Sequence, residues 1–458
     1  MLRSQDTTAI QVSLEELQKK SIKRKMDYYE PTKILLEKIN QDIYKFIKEK
    51  KLIVYGGFAQ NYLIKKKNEK DAFYNDEYSL ADIEFYHYDP IGIGIELSMM
   101  LYKKGYKYIQ FKEGVHEETY KLFVEFEGLA DISYMPKYIY DCVPTITMDG
   151  FRFTHPNFMM VDAFRQYADP IFSFWRLERT FKRFNTLEKH YPVYNEKLVK
   201  PIKYANKDII DEKVFKTLRK EFLHDKELIV IHHYAYNYLM KKTKETRLVI
   251  DIPYLSVISV NYIRDVKEIT KRLEELYPNK IKIKEFYPFF QFLGRKTEFY
   301  LDNKLIFVVY SHNDRCTVYQ SNYSENKKTL FATFSLLRLM LYAEYFNQMI
   351  HKNKKEEIEY LTLFTNIIKG RIEYLEEKDI TVMDKSLFQE FTFDCIGSAI
   401  DTIRESRLRP LERKKQGKML VYRFDPETAK DTKSPNYIFA NSSGNPIKNP
   451  KDFSINKK

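Results

Sequence analysis

Asp82 and Glu84 stand two residues apart in the otherwise apolar segment LADIEFY, and Asp131 lies in a second apolar segment, LADISYM. Side chains alternate faces along a strand, so Asp82 and Glu84 project the same way. Two acids on one face of a half-buried segment repel each other and lose hydration unless a cation sits between them. Three carboxylates on neighbouring strands form a ligand set for two Mg2+ (or Mn2+) ions about 3.5–4 Å apart, able to polarise a phosphoryl group and activate a hydroxyl for in-line attack. Upstream, LIVY runs into Gly56 and Gly57 and then FAQNYLIKK. Without Cβ atoms, a diglycine between strand and helix lets the backbone approach phosphate oxygens at a helix N-terminus. Taken singly, the diglycine reads as turn geometry and the acid pair as an exposed edge strand. In this order, with Asp131 downstream, they read as a nucleotide and metal site.

The chain carries an internal control. Residues 52–66 (LIVYGGFAQNYLIKK) and 228–242 (LIVIHHYAYNYLMKK) match at nine of fifteen positions at an offset of 176. Such self-similarity implies two related domains. His232 and His233 replace the two glycines, and the places expected for the acids, near Val257, Ser259 and Val308, hold none. The first copy reads as the active site, and the second as a silent duplicate whose histidines mark a lost phosphate cradle.

The elements that must hold these residues follow from periodicity. Helices are expected over 14–50, where Leu35, Ile39, Ile43, Phe46 and Ile47 recur on one face. Strand 52–55 and a helix follow, then a polar loop over 65–78, strand 81–85, helix 95–106 and strand 107–111. A loop with Gly114 and His116 leads to strands at 120–126 and 129–134. A basic helix is expected over 162–192. The second copy repeats the order, with strand and helix over 228–242, strand 254–260, helix 264–277, strand 280–286 and two strands over 298–311. Helices are expected over 331–352, 354–377 and 385–404. The fold class is α+β with mixed parallel and antiparallel sheets. Four segments are expected: an N-terminal helical segment (1–50), a catalytic domain (51–195), a degenerate copy with C-terminal helices (196–413), and a basic, polar, poorly ordered tail (414–458).

Composition bounds the partners. The chain has 458 residues, enough for two or three domains, and its formal charge is +13. That balance suits a polyanion such as nucleic acid, although lysine-rich composition also follows from an AT-rich genome. Cys142, Cys316 and Cys395 are widely spaced and read as reduced thiols. No apolar run approaches the ~20 residues of a membrane span, so no membrane partner and an intracellular setting are expected. Arg176, Arg179, Lys182 and Arg183 lie on about one half of a helix, with Trp175, Phe181 and Phe184 among them. They read either as a solvated basic face or as a triphosphate and RNA contact. His116 and Thr119 line the nucleotide pocket or are structural, and the run RLRPLERKKQGK (407–418) is solvated surface or an RNA guide.

The succession Gly56-Gly57, Asp82, Glu84, Asp131 resembles the nucleotidyltransferase superfamily of DNA polymerase β type. KLIVYGGFAQNYL, LADIEFYHYDP, GVHEETYKLFVEFEGLADISYMP, VPTITMDGFRFTHPNFM and KRFNTLEKHYP are similar to segments of the poly(A) polymerase catalytic subunits of large cytoplasmic DNA viruses, strongly over about residues 30–195. The resemblance implies template-independent addition of AMP from ATP to RNA 3′ ends. It implies Asp82, Glu84 and Asp131 as catalytic metal ligands, Gly56, Gly57 and Lys182 on the nucleotide, and Arg176, Arg179 and Arg183 on RNA. It also implies a homodimer or a viral processivity partner, and action in host cytoplasm, a viral factory or the virion. Glu84 departs from the family, which usually has Asp there. The alternatives are another terminal nucleotidyltransferase, uridylyl or oligonucleotide-synthesising, and a catalytically silent RNA-binding scaffold.

Overall fold

The computed structural model describes residues 3–28, 31–74, 82–312, 315–324, 326–398, 402–416 and 423–427. In chain order come α1 (Ser4–Tyr28), α2 (Lys33–Glu49), β1 (Ile53–Tyr55), α3 (Gly56–Lys67), β2 (Ile83–His87), α4 (Pro90–Lys103), β3 (Gln110–Glu113), β4 (Thr119–Val124), β5 (Glu127–Tyr134), α5 (Lys137–Tyr140), β6 (Thr145–Met148) and β7 (Phe151–Thr154). Next are α6 (Pro156–Tyr167), α7 (Pro170–His190), α8 (Glu212–Leu218), β8 (Leu228–Ile231), α9 (His232–Met240), β9 (Leu255–Ser259), α10 (Tyr262–Leu276), β10 (Ile281–Phe286), β11 (Lys296–Leu301) and β12 (Lys304–Ser311). The last are β13 (Thr317–Ser324), β14 (Lys327–Ala332), α11 (Phe334–Ile350), α12 (Lys354–Lys378), β15 (Cys395–Ile396), α13 (Thr402–Lys415) and β16 (Arg423–Phe424).

These elements form two compact units, Met1–His155 with Thr402–Lys458, and Pro156–Asp401. In the first, Thr32 caps α2 by accepting the Leu35 N–H; the helix buries Ile39, Ile43, Phe46 and Ile47 as expected, but Leu36 is the buried leucine and Leu35, expected on that face, is only half-buried. The sheet runs β16-β3-β4-β5-β2-β1-β7-β6. Ile53, Val54, Ile83, Phe85, Ala130 and Ile132 are fully buried in its central strands. In the second unit the order is β10-β11-β12-β9-β8-β14-β13-β15, with α11 and α12 supplying much of the core.

Seven strands recur in the same order and with the same senses: β3-β4-β5-β2-β1-β7-β6 answers to β10-β11-β12-β9-β8-β14-β13. Residues kept between the two copies are those of the scaffold. Ala59 and Ala235, and Leu63 and Leu239, are all fully buried. Asn61 Oδ1 accepts the N–H groups of Phe73 and Tyr74, while Asn237 clamps Ile250 through both its N–H and its carbonyl. Each asparagine ties the segment that follows its helix back onto it.

Register corrects the expected equivalences. Tyr55 pairs with Glu84 in the first sheet and Ile231 with Ser256 in the second; Glu84 pairs with Asp131, and Ser256 with Val308. Asp82, Glu84 and Asp131 therefore correspond to Tyr254, Ser256 and Val308, not to Val257, Ser259 and Val308. The difference of three residues is odd, so the expected pair would have faced the other side of the sheet.

Several other expectations differ from the structure. The hairpin β6–β7 and the hairpin β13–β14 were not anticipated, yet β7 and β14 each pair with the first strand of their copy. The stretch expected as a helix over 385–404 contains β15, and the helix there is α13. The break between units falls at His155/Pro156 and not near 195, because α6 is an apolar element whose partners are α11 and α12: Phe158 lies 5.1 Å from Phe346, and Phe164 5.5 Å from Tyr342, between ring centres. Cys316 and Cys395 are not separate thiols but a disulfide with Cα atoms 5.4 Å apart, brought together where β15 pairs with β13; Cys142 is an exposed free thiol. Most of the expected tail lies outside the described residues. Its residues 423–427 do not run loose, since β16 pairs with β3 and Phe424 is buried. No described helix is long and apolar enough to cross a membrane.

The duplicate's register yields a stability test. Val308, the counterpart of Asp131, is 2% exposed and faces Glu298 across the strand pair. Val308→Asp would bury a second carboxylate beside Glu298, whose cation Lys296 is already engaged, and should cost roughly 3 kcal/mol or more. Urea titration should show it; an unchanged midpoint would mean that this place is solvated.

Candidate active site

Strand β1 ends at Tyr55, and α3 starts at the next residue. That abrupt turn is possible because Gly56 takes φ +70°, the left-handed region open to glycine. The position also lacks room. A Cβ on Gly56 would lie 1.7 Å from Glu84 Oε2. Glu84 Oε2 in turn accepts the Gly57 N–H at 2.7 Å. The diglycine thus makes space for a carboxylate reaching over from β2, and the extra methylene of Glu84 provides the reach. In this structure the Gly57 N–H is directed to Glu84.

Parallel pairing of β2 with β5 sets Glu84 directly beside Asp131, and Asp82 immediately precedes β2. Antiparallel pairing of β4 with β5 sets Lys121 beside Asp131 on its other side. The Lys121 ammonium lies 2.8 Å from Asp82 Oδ2 and 3.1 Å from Asp131 Oδ1. Asp131 Oδ1 is itself buried, and its contact with Lys121 is an ion pair without hydrogen-bond alignment. Burial lifts the Asp131 carboxyl above its ordinary range, against the pull of Lys121. Burial alone would lower Lys121, but its hydrogen bond to Asp82 and the charge of Asp131 more than offset this, so its pKa is raised. Behind the acids, the Tyr55 hydroxyl and Thr119 Oγ1 each contact Ser133 Oγ at 2.7 Å, a polar chain that ties β1, β4 and β5 together.

The structure brings together Gly56, Gly57, Asp82, Glu84 and Asp131. Among the described residues, no three acidic, histidine or cysteine side chains converge as a ready metal site. Glu84 is turned to Gly57, and an ammonium stands between the other two carboxylates. That ammonium is itself a stand-in: Asp82 and Asp131 already close around a cation, as the donor set for a hard divalent ion must. The carboxylates therefore fit such an ion. Lys121 is the site residue that the motif reading missed. Its signal was a lysine inside the strand-like TYKLFV, where alternation alone does not explain a buried charge.

The remaining expected residues lie elsewhere. Thr119 begins β4 and is engaged with Ser133; His116 is exposed in the preceding loop. Lys182, Arg176, Arg179 and Arg183 are on α7, in the second unit. Lys182 is ion-paired with Glu178 at 2.7 Å, both well exposed. Arg176 packs over the Trp175 ring at 4.5 Å; burial pushes the Asp162 carboxyl up, but Arg165 and Gln166, and after them Arg176, hold it below its ordinary range. Phe174, Trp175 and Phe181 are exposed at 72, 59 and 54%. In the basic run, Arg413 is not free surface: it grips both oxygens of Glu113 at 2.8 and 2.9 Å, and Arg409 donates to the Val115 carbonyl. Residues 417 and 418 of that run lie outside the described residues.

The duplicate's counterpart is filled. His232 takes φ +48° where Gly56 takes +70°, a conformation unfavourable for a residue with a Cβ. Ser256 stands in the place of Glu84. His232 is fully buried between Tyr310 and Tyr360, and burial pulls its pKa down to about 3. His233 bonds Glu359 at 2.8 Å, and Tyr254, in the place of Asp82, bonds Tyr360. Rings and their partners from α12 and β12 replace ligand space.

Comparison with known proteins accounts for this arrangement. Residues 41–173 match the family model of the poly(A) polymerase catalytic subunit, and residues 185–457 match that of the C-terminal part of the mimivirus poly(A) polymerase catalytic subunit. A protein of Acanthamoeba polyphaga mimivirus, provisionally named as a poly(A) polymerase catalytic subunit, is 32% identical over 92% of this chain and 79% of its own length. A similarly named protein of African swine fever virus (isolate Pig/Kenya/KEN-50/1950) is 27% identical over 52% of this chain and 49% of its own. The crystal structure of the Megavirus polyadenylate synthase superposes with a TM-score of 0.86 at 30% identity, covering 99% of this chain and 94% of that one. With both copies of the fold matched, and only the first keeping acids at a glycine turn, the chain belongs to the viral poly(A) polymerase catalytic subunit family, the polynucleotide adenylyltransferases.

Proposed function

We propose that the chain adds AMP from ATP to the 3′ end of RNA by nucleotidyl transfer at Asp82, Glu84 and Asp131, with Mg2+ or Mn2+ as a pair of ions. The observation that carries this reading is the closure of Asp82 and Asp131 around one cation beside Glu84, on the three strands that follow a glycine turn. Bound divalent ions would polarise the α-phosphoryl group and lower the pKa of the RNA 3′-hydroxyl. Asp82 and Glu84, on one face of the chain, would hold them from one strand, and Asp131 from the next. Gly56 and Gly57 would present the start of α3 to the triphosphate once Glu84 turns from the Gly57 N–H toward a cation. The polar chain Tyr55–Ser133–Thr119 would keep β5, and with it Asp131, fixed during the exchange.

The RNA reading rests on α7. Phe174, Trp175 and Phe181 offer exposed rings on which bases could stack, interleaved with Arg179, Lys182 and Arg183 for phosphates. The solvated ion pair of Lys182 with Glu178 contributes little stability and is readily exchanged for a phosphate.

Purified protein given a labelled RNA primer, Mg2+ or Mn2+ and each NTP in turn should extend the primer with ATP; extension with UTP alone would indicate a uridylyltransferase. Asp82→Ala and Asp131→Ala should each abolish extension while the fold, by circular dichroism, persists. Retention of more than a few per cent of the activity would overturn the ligand assignment.

Gly56→Ala should destabilise the unit by about 1–2 kcal/mol through the left-handed backbone, and should lose activity because its Cβ displaces the Glu84 carboxylate. Glu84→Asp, shorter by one methylene, should preserve activity and partly rescue Gly56→Ala. A fully active Gly56→Ala would show that the turn tolerates a side chain.

For RNA, affinity should fall with salt at a log–log slope of roughly −0.7 per phosphate contact. Arg179→Ala with Arg183→Ala should make the slope shallower by about 1.4 and shorten tails. A double variant with the parent's slope would return α7 to a solvated face.

A further inference from the structure

Lys121 is built into its place. A Cβ on Gly128 would lie 2.5 Å from Lys121 Cε and 3.5 Å from its Nζ, so the missing side chain at Gly128 is the channel through which the lysine stem passes. The stem leads the ammonium to Asp82 at 2.8 Å and Asp131 at 3.1 Å, with Lys121 directly opposite Asp131 in the strand register. Its side chain is 29% exposed, against 42% for Asp82 and 23% for Asp131.

The duplicate shows that the fold does not need this lysine. The residue opposite Val308 there, in the place of Lys121, is Glu298, which pairs with Lys296 at 3.0 Å on its own strand. Lysine and carboxylates occur together in one copy and are absent together from the other. Charge explains the association: acids held side by side need a cation at all times, including before any metal arrives. Geometry adds a constraint. A divalent ion held by Asp82 and Asp131 would need the carboxylate oxygens that the ammonium now engages.

We propose that Lys121 is an internal counter-cation, a positioning residue that holds Asp82 and Asp131 together in the metal-free enzyme and is displaced when a divalent ion binds. The proposal rests on reading these acids as metal ligands. It makes metal binding an exchange of one cation for another, in which the affinity of the site is set by competition with the enzyme's own ammonium. Removing the competitor while keeping the stem should tighten metal binding.

The test is Mn2+ alone, titrated into the full chain and followed by its electron paramagnetic resonance signal, without ATP or RNA. Lys121→Met keeps the stem beside Gly128 and should bind Mn2+ about tenfold more tightly than the parent, a change of about 1.4 kcal/mol. Its metal-free melting temperature should fall, and the rise in that temperature on adding Mn2+ should exceed the parent's. Lys121→Arg keeps a competing charge and should not gain affinity. If Lys121→Met is poorly folded, Lys121→Gln serves the same comparison. Mn2+ binding by the neutral variant that is equal to or weaker than the parent's overturns the proposal. Asp82→Ala and Asp131→Ala separate the two readings: if they lose Mn2+ binding while the lysine variants leave it unchanged, only the counter-cation role fails. If they bind Mn2+ like the parent, the ligand assignment fails and the counter-cation role falls with it.

Discussion

Carboxylates fixed side by side in a sheet must be given positive charge, and much of the first unit is arranged around that need. The parallel register of β2 and β5 puts Glu84 against Asp131, and the same face of the chain carries Asp82. In water three such groups would separate; on a sheet they cannot, because each is anchored by buried neighbours such as Ile83, Phe85, Ala130 and Ile132. The repulsion is met by two devices. Glu84 is turned to a backbone N–H at the start of a helix, where the peptide dipoles favour negative charge, and Asp82 and Asp131 share an ammonium. Both depend on missing Cβ atoms, at Gly56 and at Gly128. Glycine here provides volume for charged side chains as much as backbone freedom.

The second unit is the same sheet relieved of that constraint. With serine and valine in place of the two strand acids, no cation is required there, and the turn glycines can become buried histidines. Charge in this unit has moved to the helices that cover the sheet. Burial pushes the Glu344 carboxyl up, but the Lys296 ammonium, the His232 ring and hydrogen bonds from Tyr310 and Asn347 more than offset this and hold it low. Arg338 and Arg371 close on Glu390 in the same way, with Phe334 stacked against both guanidinium groups. Breaking such a pair by removing one partner would leave a buried charge uncompensated, at a cost of roughly 3–5 kcal/mol. They fix how α11 and α12 are held and leave the former pocket packed with side chains.

Much of this was legible along the chain. The offset of 176 between the copies, the alternation that sets Asp82 and Glu84 on one face, the acid in an apolar strand at Asp131 and the helical face from Ile39 to Ile47 are local patterns with periods fixed by backbone geometry. The hairpin of β6 and β7 is legible in the same way. Its Asp149-Gly150 turn has both residues at positive φ, the dipeptide that such a turn favours. The counterparts of the acids in the duplicate were misjudged by an odd number of residues, because a strand's pairing partner is not written in its own sequence.

The sequence by itself determined which residues could do chemistry and on which local element each would stand, because side-chain type and backbone period are properties of short stretches. Tertiary structure alone decided which of them meet. Lys121 faces Asp131 through strand pairing, Gly128 opens the path for the lysine stem, the Glu84 carboxylate fills the space over Gly56, and Cys316 finds Cys395 across a separation of 79 residues. Each of these is a contact between segments whose distance is set by how the sheet is ordered. Sheet order follows from burying all the strands at once, a condition that no single stretch of chain can express.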